Sequence, residues 1–207
     1  MSRRIALAFT GASGMPYGIR LLECLLAAGM RVELLYSQVA QIVARQEMDL
    51  GLPGRAAEVQ AVFTERFKAE PGQLSVYGRE EWFAPLASGS NPPDAMVICP
   101  YTMGTLASIA ANLSSNLIER AADVCLKERR TLVLVPRETP FSTLHLENML
   151  KLARMGVVIL PPAPGFYTHP QSVQDMVDFV VARVLDQIGV PNTLMPRWGE
   201  KPLVEDV

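Results

Sequence analysis

Residues 5–37 read IALAFTGASGMPYGIRLLECLLAAGMRVELLYS, and this stretch decides the fold class. Ile5, Ala6, Leu7, Ala8 and Phe9 form a continuous apolar run that ends at Thr10 and Gly11. A short apolar run closed by a turn residue reads as a strand covered on both faces. From Gly14 the period changes, and Ile19, Leu22, Leu25 and Leu26 fall on one side of a helix over residues 14–28. Residues 31–36 are a second apolar strand, and Ser37 is a suitable N-cap for a helix through Val39, Ile42 and Val43. Strand, helix and buried strand in that order make a βαβ unit.

The rest of the chain repeats the alternation. Helical spacing covers residues 56–67, 105–111, 117–127, 144–155 and 173–188; strands are predicted at 74–77, 95–99, 131–135 and 157–160. Pro100 and Pro136 are read as strand stops, residues 88–93 (SGSNPP) as a loop and residues 161–170 as a stiff one. The expectation is an α/β fold: a doubly wound, mostly parallel sheet between two helical layers, one domain over residues 1–190 followed by an arm over 191–207 with Trp198 docked on a neighbour. Ligands bind such sheets outside the carboxyl ends of the strands, so functional residues should gather after Thr10, Tyr36, Cys99, Val135 and Leu160.

Composition narrows the function. The 207 residues are 49% apolar and 19% charged, a slight apolar excess that points to contacts between subunits. Net charge is -2 without a basic tract, so nucleic acid is not an expected partner. Cys24, Cys99 and Cys125 are far apart in apolar surroundings; they read as buried thiols, neither a disulfide framework nor a zinc site. Met1-Ser2-Arg3-Arg4 runs straight into a strand and no apolar run reaches membrane length, which makes the cytoplasm the expected compartment. His145 and His169 assemble into neither a metal pair nor a triad, and His145 reads as a surface or cap residue.

Four constellations carry chemistry. Thr10, Gly11, Ala12, Ser13 and Gly14 join the first strand to the first helix, where free N–H groups suit a phosphate or a flavin edge; the plainer reading is a tight turn. Glycines at 11, 14 and 18 depart from GxGxxG, and the second strand ends in Ser37, with Glu33 inside it, instead of the acid that holds a dinucleotide's ribose. This disfavours NAD and favours a mononucleotide meeting Ser37. Thr102, Met103, Gly104 and Thr105 follow the fourth strand, where hydroxyls and helix N–H groups hold a phosphate without a lysine, or Thr102 only caps the helix. Arg120 and Lys127, seven apart, share a helix face; with Arg137 and Arg183 they form a cation set whose usual fate is surface pairing. Arg137 stands apart because it follows Pro136 at the ligand edge, beside the proton-exchanging carboxylate of Glu138. In the last loop Tyr167 offers its hydroxyl to an anion or packs on the sheet edge.

TGASGMPYG at 10–18, Ser37, PYTMGTLASIAANLSSNLIERAADVCLKERR at 100–130, LVPRETP at 134–140, PPAPGFY at 161–167 and RVLDQ at 183–187 together resemble the UbiX-like flavin prenyltransferases, from the first strand to the last helix. The resemblance implies a flavodoxin-like (Rossmann-like) fold. It implies FMN held by Ala12, Ser13, Gly14, Ser37, Thr102, Met103, Gly104, Thr105 and Arg137, and dimethylallyl monophosphate bound by Arg120, Lys127, Tyr167 and Arg183. Ser13, Glu47, Trp82, Lys127 and Glu138 match catalytic positions. The implied reaction attaches a dimethylallyl group to N5 and then C6 of reduced FMN, without a metal, in a homo-oligomer, typically a dodecamer, whose active sites are shared between subunits. The prenylated FMN then serves a partner UbiD-type decarboxylase. Several cations suit a departing monophosphate, the π-face of Trp82 suits an allyl cation, and Glu138, Ser13 or the released phosphate is a candidate base for the C6 proton. The alternative is an FMN-dependent decarboxylase of the peptidyl- or pantothenoyl-cysteine type, expected to carry a histidine after the second strand and an asparagine in a later loop motif. Residues 38–47 read QVAQIVARQE and the later segment reads PRETP, so neither sign is present. A non-catalytic flavin carrier would have no use for the second cation set.

Overall fold

The computed structural model describes residues 2–199. Six strands, β1 (Arg4–Phe9), β2 (Arg31–Tyr36), β3 (Leu74–Tyr77), β4 (Ala95–Tyr101), β5 (Thr131–Pro136) and β6 (Val158–Ile159), form one sheet in the order β3-β2-β1-β4-β5-β6. Every adjacent pair is parallel. Helices α1 (Met15–Ala27), α2 (Gln38–Met48), α3 (Ala56–Phe67), α4 (Met103–Ala110), α5 (Leu117–Lys127), α6 (Thr143–Arg154) and α7 (Val173–Gln187) complete the three layers.

The strands' alternation explains the layering. Ile5, Leu7 and Phe9 of β1 join the core formed with α1, α2, α3 and α7, while Ala6 and Ala8 join the core formed with α4, α5 and α6. All five are fully buried, and each large one stabilises the fold by about 1.5–3 kcal/mol. Gly18 brings α1 directly onto the sheet: a Cβ there would lie 2.5 Å from the Cys99 carbonyl oxygen and 2.8 Å from the Phe9 ring.

The prolines behave differently from the expectation. Strand β4 runs past Pro100 to Tyr101, and β5 includes Pro136. The β4–β5 register shifts between Ile98 and Tyr101, so Cys99 belongs to one core and Tyr101 to the other. A bulge of this kind absorbs a residue that cannot donate to the ladder. Strand β6 is shorter than predicted, and the proline loop contains a 3₁₀ turn at Phe166–Thr168. His145 is a cap residue: it closes a capping box with Ser142 at the start of α6.

The described part of the arm lies on its own chain. Asn192 Nδ2 donates to Asp186 Oδ1 at 3.2 Å. Trp198, expected to meet a neighbouring copy, stands edge-on to Tyr167 of the same chain at 5.0 Å; residues 200–207 of the arm lie outside the described residues. Among the described residues no helix is long and apolar enough to cross a membrane.

Candidate active site

Strands β1 and β4 lie side by side, but their following helices, α1 and α4, pack on opposite faces of the sheet. The crevice at this switch point is where open α/β sheets bind ligands. A cavity of about 350 Å³ opens there. Three helices aim their N-termini at it through capping residues that line it. Ser37 Oγ accepts the Ala40 N–H of α2 at 3.1 Å. Thr102 Oγ1 accepts the Thr105 N–H of α4 at 3.2 Å. Asn116 Oδ1 accepts the Glu119 N–H of α5 at 3.1 Å. Three positive dipole ends make the cavity attractive to an anion.

The side chains add hydroxyls and one cation. Thr102, Thr105 and Ser108 follow one another at spacing three along α4 and all line the cavity, as does Arg79 from the loop after β3. Glu119 lines it too; its Oε2 accepts the Ser115 N–H at 2.7 Å. Burial, with the nearby Glu81 and Glu58, raises the pKa of Tyr36, so its phenol stays a neutral donor in the wall. The lining is therefore built for a ligand with both an anionic group and hydroxyls.

A second cluster adjoins the cavity at the β1–α1 turn. Gly14 takes a left-handed conformation (φ 111°), open to glycine at no steric cost. Glu47, on the last turn of α2, accepts the Gly14 N–H at 2.9 Å and the Met15 N–H at 2.8 Å through Oε2. The N-terminus of α1, read from the sequence as a place for a phosphate or a flavin edge, thus already carries the chain's own carboxylate. Arg137 reaches across from the end of β5, its Nε donating to the Ser13 carbonyl at 3.2 Å. Ala12 is buried beneath this turn and Ser13 is exposed on it. Glu138, also exposed, accepts the Thr139 N–H at 3.1 Å.

Other residues singled out in the sequence lie elsewhere in the chain. The Met103 side chain turns into the core below the cavity. Trp82 lies half-exposed in the loop after β3. Arg120 and Lys127 do share a face of α5, but that face meets the loop before β4. Arg120 Nε donates to the Ala87 carbonyl at 2.9 Å and its Nη1 to Asp123 Oδ2 at 2.8 Å. Lys127 pairs with Glu128 at 2.6 Å. It ends α5, ten residues from the helix start at the cavity, a rise of about 15 Å. Arg183 pairs with Asp186 at 2.9 Å and lines a separate cavity of about 320 Å³ with Leu160 and Phe179. Tyr167 packs edge-on against Phe179. One chain therefore gathers Ser37, Thr102, Gly104 and Thr105 around the cavity and places Ala12, Ser13, Gly14, Glu47 and Arg137 beside it. It does not bring Arg120, Lys127, Tyr167 or Arg183 to it. Arg79, Ser108, Asn116 and Glu119 escaped the sequence reading. Asn116 before an apolar helix and Ser108 three residues after Thr105 were legible signals; Arg79 had none.

A family profile described as Flavoprotein matches residues 1–185. The flavin prenyltransferase UbiX of Pseudomonas aeruginosa is 58% identical over 203 residues, covering 98% of this chain and 97% of that protein. The chain belongs to the UbiX flavin prenyltransferase family. Among solved structures similar to this UbiX-family chain is AnUbiX (PadA1), crystallised in complex with FMN and dimethylallyl pyrophosphate; its TM-score is 0.86 at 38% identity, covering 98% of this chain and all of that one. The dodecameric FMN-dependent UbiX-like decarboxylase from Escherichia coli O157:H7 superimposes with a TM-score of 0.82 at 42% identity, covering 94% of this chain and 98% of that one.

Proposed function

We propose that this chain is a flavin prenyltransferase that binds FMN in the switch-point cavity and attaches to its N5 and C6 a dimethylallyl group taken from dimethylallyl monophosphate. The observation that carries this reading is the convergence of the N-termini of α2, α4 and α5 on one hydroxyl-lined cavity in a member of this family. The residues present fit FMN. Among the described residues the Met103 and Gly104 N–H groups have no protein acceptor, and a Cβ on Gly104 would meet nothing within 4 Å. A phosphate can rest against that first turn, with the hydroxyls of Ser37, Thr105 and Ser108 left for the ribityl chain. Bound in its reduced state, FMN supplies the nucleophilic nitrogen and carbon.

The chain's own residues do the rest. Arg137 ties the Ser13 turn to the end of β5, and Glu47 holds the N-terminus of α1, so Ala12, Ser13 and Gly14 present a fixed edge to the flavin. Arg120, Lys127, Tyr167 and Arg183 lie away from the cavity of their own chain, so they serve the cavity of a neighbouring copy in a homo-oligomer, a dodecamer like the Escherichia coli relative. There the cations stabilise the departing phosphate, and the Trp82 ring stabilises developing allyl charge. Glu138, exposed at the ligand edge, takes the C6 proton. Exposed Val39, Ile42, Leu144 and Leu150 offer apolar surface for such an assembly. We further infer a cytoplasmic enzyme, one domain over residues 1–190 with an arm over 191–207, whose product passes to a UbiD-type decarboxylase.

Anaerobically reduced, FMN-loaded protein mixed with dimethylallyl monophosphate should release a flavin heavier by one C₅H₈ unit, read by mass spectrometry. An unchanged flavin mass, or equilibrium binding of NAD in place of FMN, would overturn the reading. Sedimentation should show a large homo-oligomer; a fully active monomer at micromolar concentration would refute the shared sites.

A further inference from the structure

Thr10 stands one residue beyond β1 and is 2% exposed. Its hydroxyl donates to the Pro100 carbonyl at 2.9 Å and accepts the Thr102 N–H at 2.9 Å. Its own N–H also reaches the Pro100 carbonyl, at 3.2 Å. The paired registers of β1 and β4 end at Ala8 and Ile98, and Pro100 has no N–H with which to continue the ladder. Beside the backbone rung from the Thr10 N–H, the Thr10 side chain carries the pairing one step further by accepting the Thr102 N–H.

That rung ends on the residue that opens α4. Thr102 is the N-cap: its carbonyl receives the Leu106 N–H at 3.0 Å, and its Oγ1 receives the Thr105 N–H and lies 2.9 Å from Thr105 Oγ1. With the Thr102 and Thr105 amides engaged, Met103 and Gly104 keep the first-turn N–H groups that lack a protein acceptor among the described residues. Thr10 holds the Tyr101–Thr102 peptide, the one just before the Met103 amide, to the end of β1, and so fixes where the first turn of α4 begins.

We propose that Thr10 is a positioning residue for the phosphate of the ligand, acting through Thr102 to aim the Met103 and Gly104 N–H groups at one point. The inference rests on the FMN reading, but it concerns a residue whose single hydroxyl proton is already given to Pro100. Thr10→Val preserves shape and removes the hydroxyl, leaving the Thr102 N–H without its acceptor. Thr10→Ser keeps the hydroxyl and loses only a methyl group.

The test compares FMN with riboflavin, which lacks the phosphate, by equilibrium fluorescence titration of the full chain. Thr10→Val should weaken FMN binding about tenfold to a hundredfold, the range for a buried donor left unpaired. Riboflavin binding should stay within about threefold of the parent, and Thr10→Ser should restore FMN binding to that margin. Equal losses for both ligands would reduce Thr10 to general stability and overturn the proposal, as would parental FMN affinity in Thr10→Val. Should Thr10→Val not fold, Thr10→Ala removes the hydroxyl without placing a second methyl in the buried site. If the parent binds neither flavin, the FMN reading fails by itself. Hydrogen exchange over residues 101–106 of the ligand-free chain then decides the role of Thr10. Faster exchange at the Thr102 amide in Thr10→Val than in Thr10→Ser supports it, and equal exchange overturns it.

Discussion

Gly104→Ala should move stability and ligand binding in opposite directions. Gly104 lies in the first turn of α4 and faces the cavity. A Cβ built there meets no atom within 4 Å, and its φ is not among the positive ones, so alanine enters without strain. Alanine in place of glycine favours a helix by up to about 1 kcal/mol, worth roughly 2–4 °C in melting temperature for a domain of this size. The ligand-free protein should therefore melt at the parental temperature or slightly above it. The added methyl, however, occupies the space from which a phosphate would reach the Met103 and Gly104 N–H groups. Each charge-assisted hydrogen bond lost costs about 1.5–3 kcal/mol, so FMN affinity should fall by at least about tenfold. Equilibrium quenching of FMN fluorescence gives the affinity, and a thermal melt without FMN gives the stability. A variant that binds FMN within threefold of the parent would show that the phosphate does not rest on α4. One that melts lower would contradict the open space around Gly104.

Three other changes test the surrounding chemistry. Glu47→Ala removes the carboxylate that caps α1 through Gly14 and Met15 and should lower stability by about 1 kcal/mol, with Glu47→Gln losing roughly half of that; denaturation midpoints equal to the parent's would mean that water caps α1 equally well. Burial raises the Glu33 carboxyl above its ordinary range, with Arg4 opposing. A group whose folded pKa is raised gives its full stability below the unfolded value and loses it as pH rises through the folded one. Glu33→Gln should therefore gain on the parent as pH rises from 4 to 8 in chemical denaturation, and a constant difference would refute the shift. Burial pushes the Cys24 thiol up to about 11 and the Cys125 thiol to about 12, and raises Cys99 as well. Since the thiolate is the reactive form, a thiol reagent at pH 8 should label the buried Cys99 and Cys125 only after unfolding and the partly buried Cys24 slowly before it, and rapid labelling of more than one thiol in the native protein would contradict this.

The segments with unbroken periodicity determined themselves. β2, α3, β3 and α5 begin and end where their residue patterns do, because burial of an apolar face and capping act over a few neighbours. Ser37 and Thr102 were legible as caps for the same reason. What no local pattern could decide is which segments meet. Pro100 reads as a strand stop because it lacks an N–H; the strand continues because a bulge and the Thr10 hydroxyl, 90 residues away, carry the chain past it. The α1 N-terminus reads as free N–H groups; Glu47, 32 residues beyond Met15, accepts the Gly14 and Met15 N–H groups. Arg120 and Lys127 are visible as cations on one face of a helix, but only the packing of α5 against the sheet carries that face toward Ala87 and away from the cavity. The caps of α2, α4 and α5 come to line one cavity only through the order β3-β2-β1-β4-β5-β6, which draws the carboxyl ends of β1, β2 and β4 together. Periodicity is a property of a few residues, whereas this site is a property of strand order and register, and those are decided when the whole sheet packs.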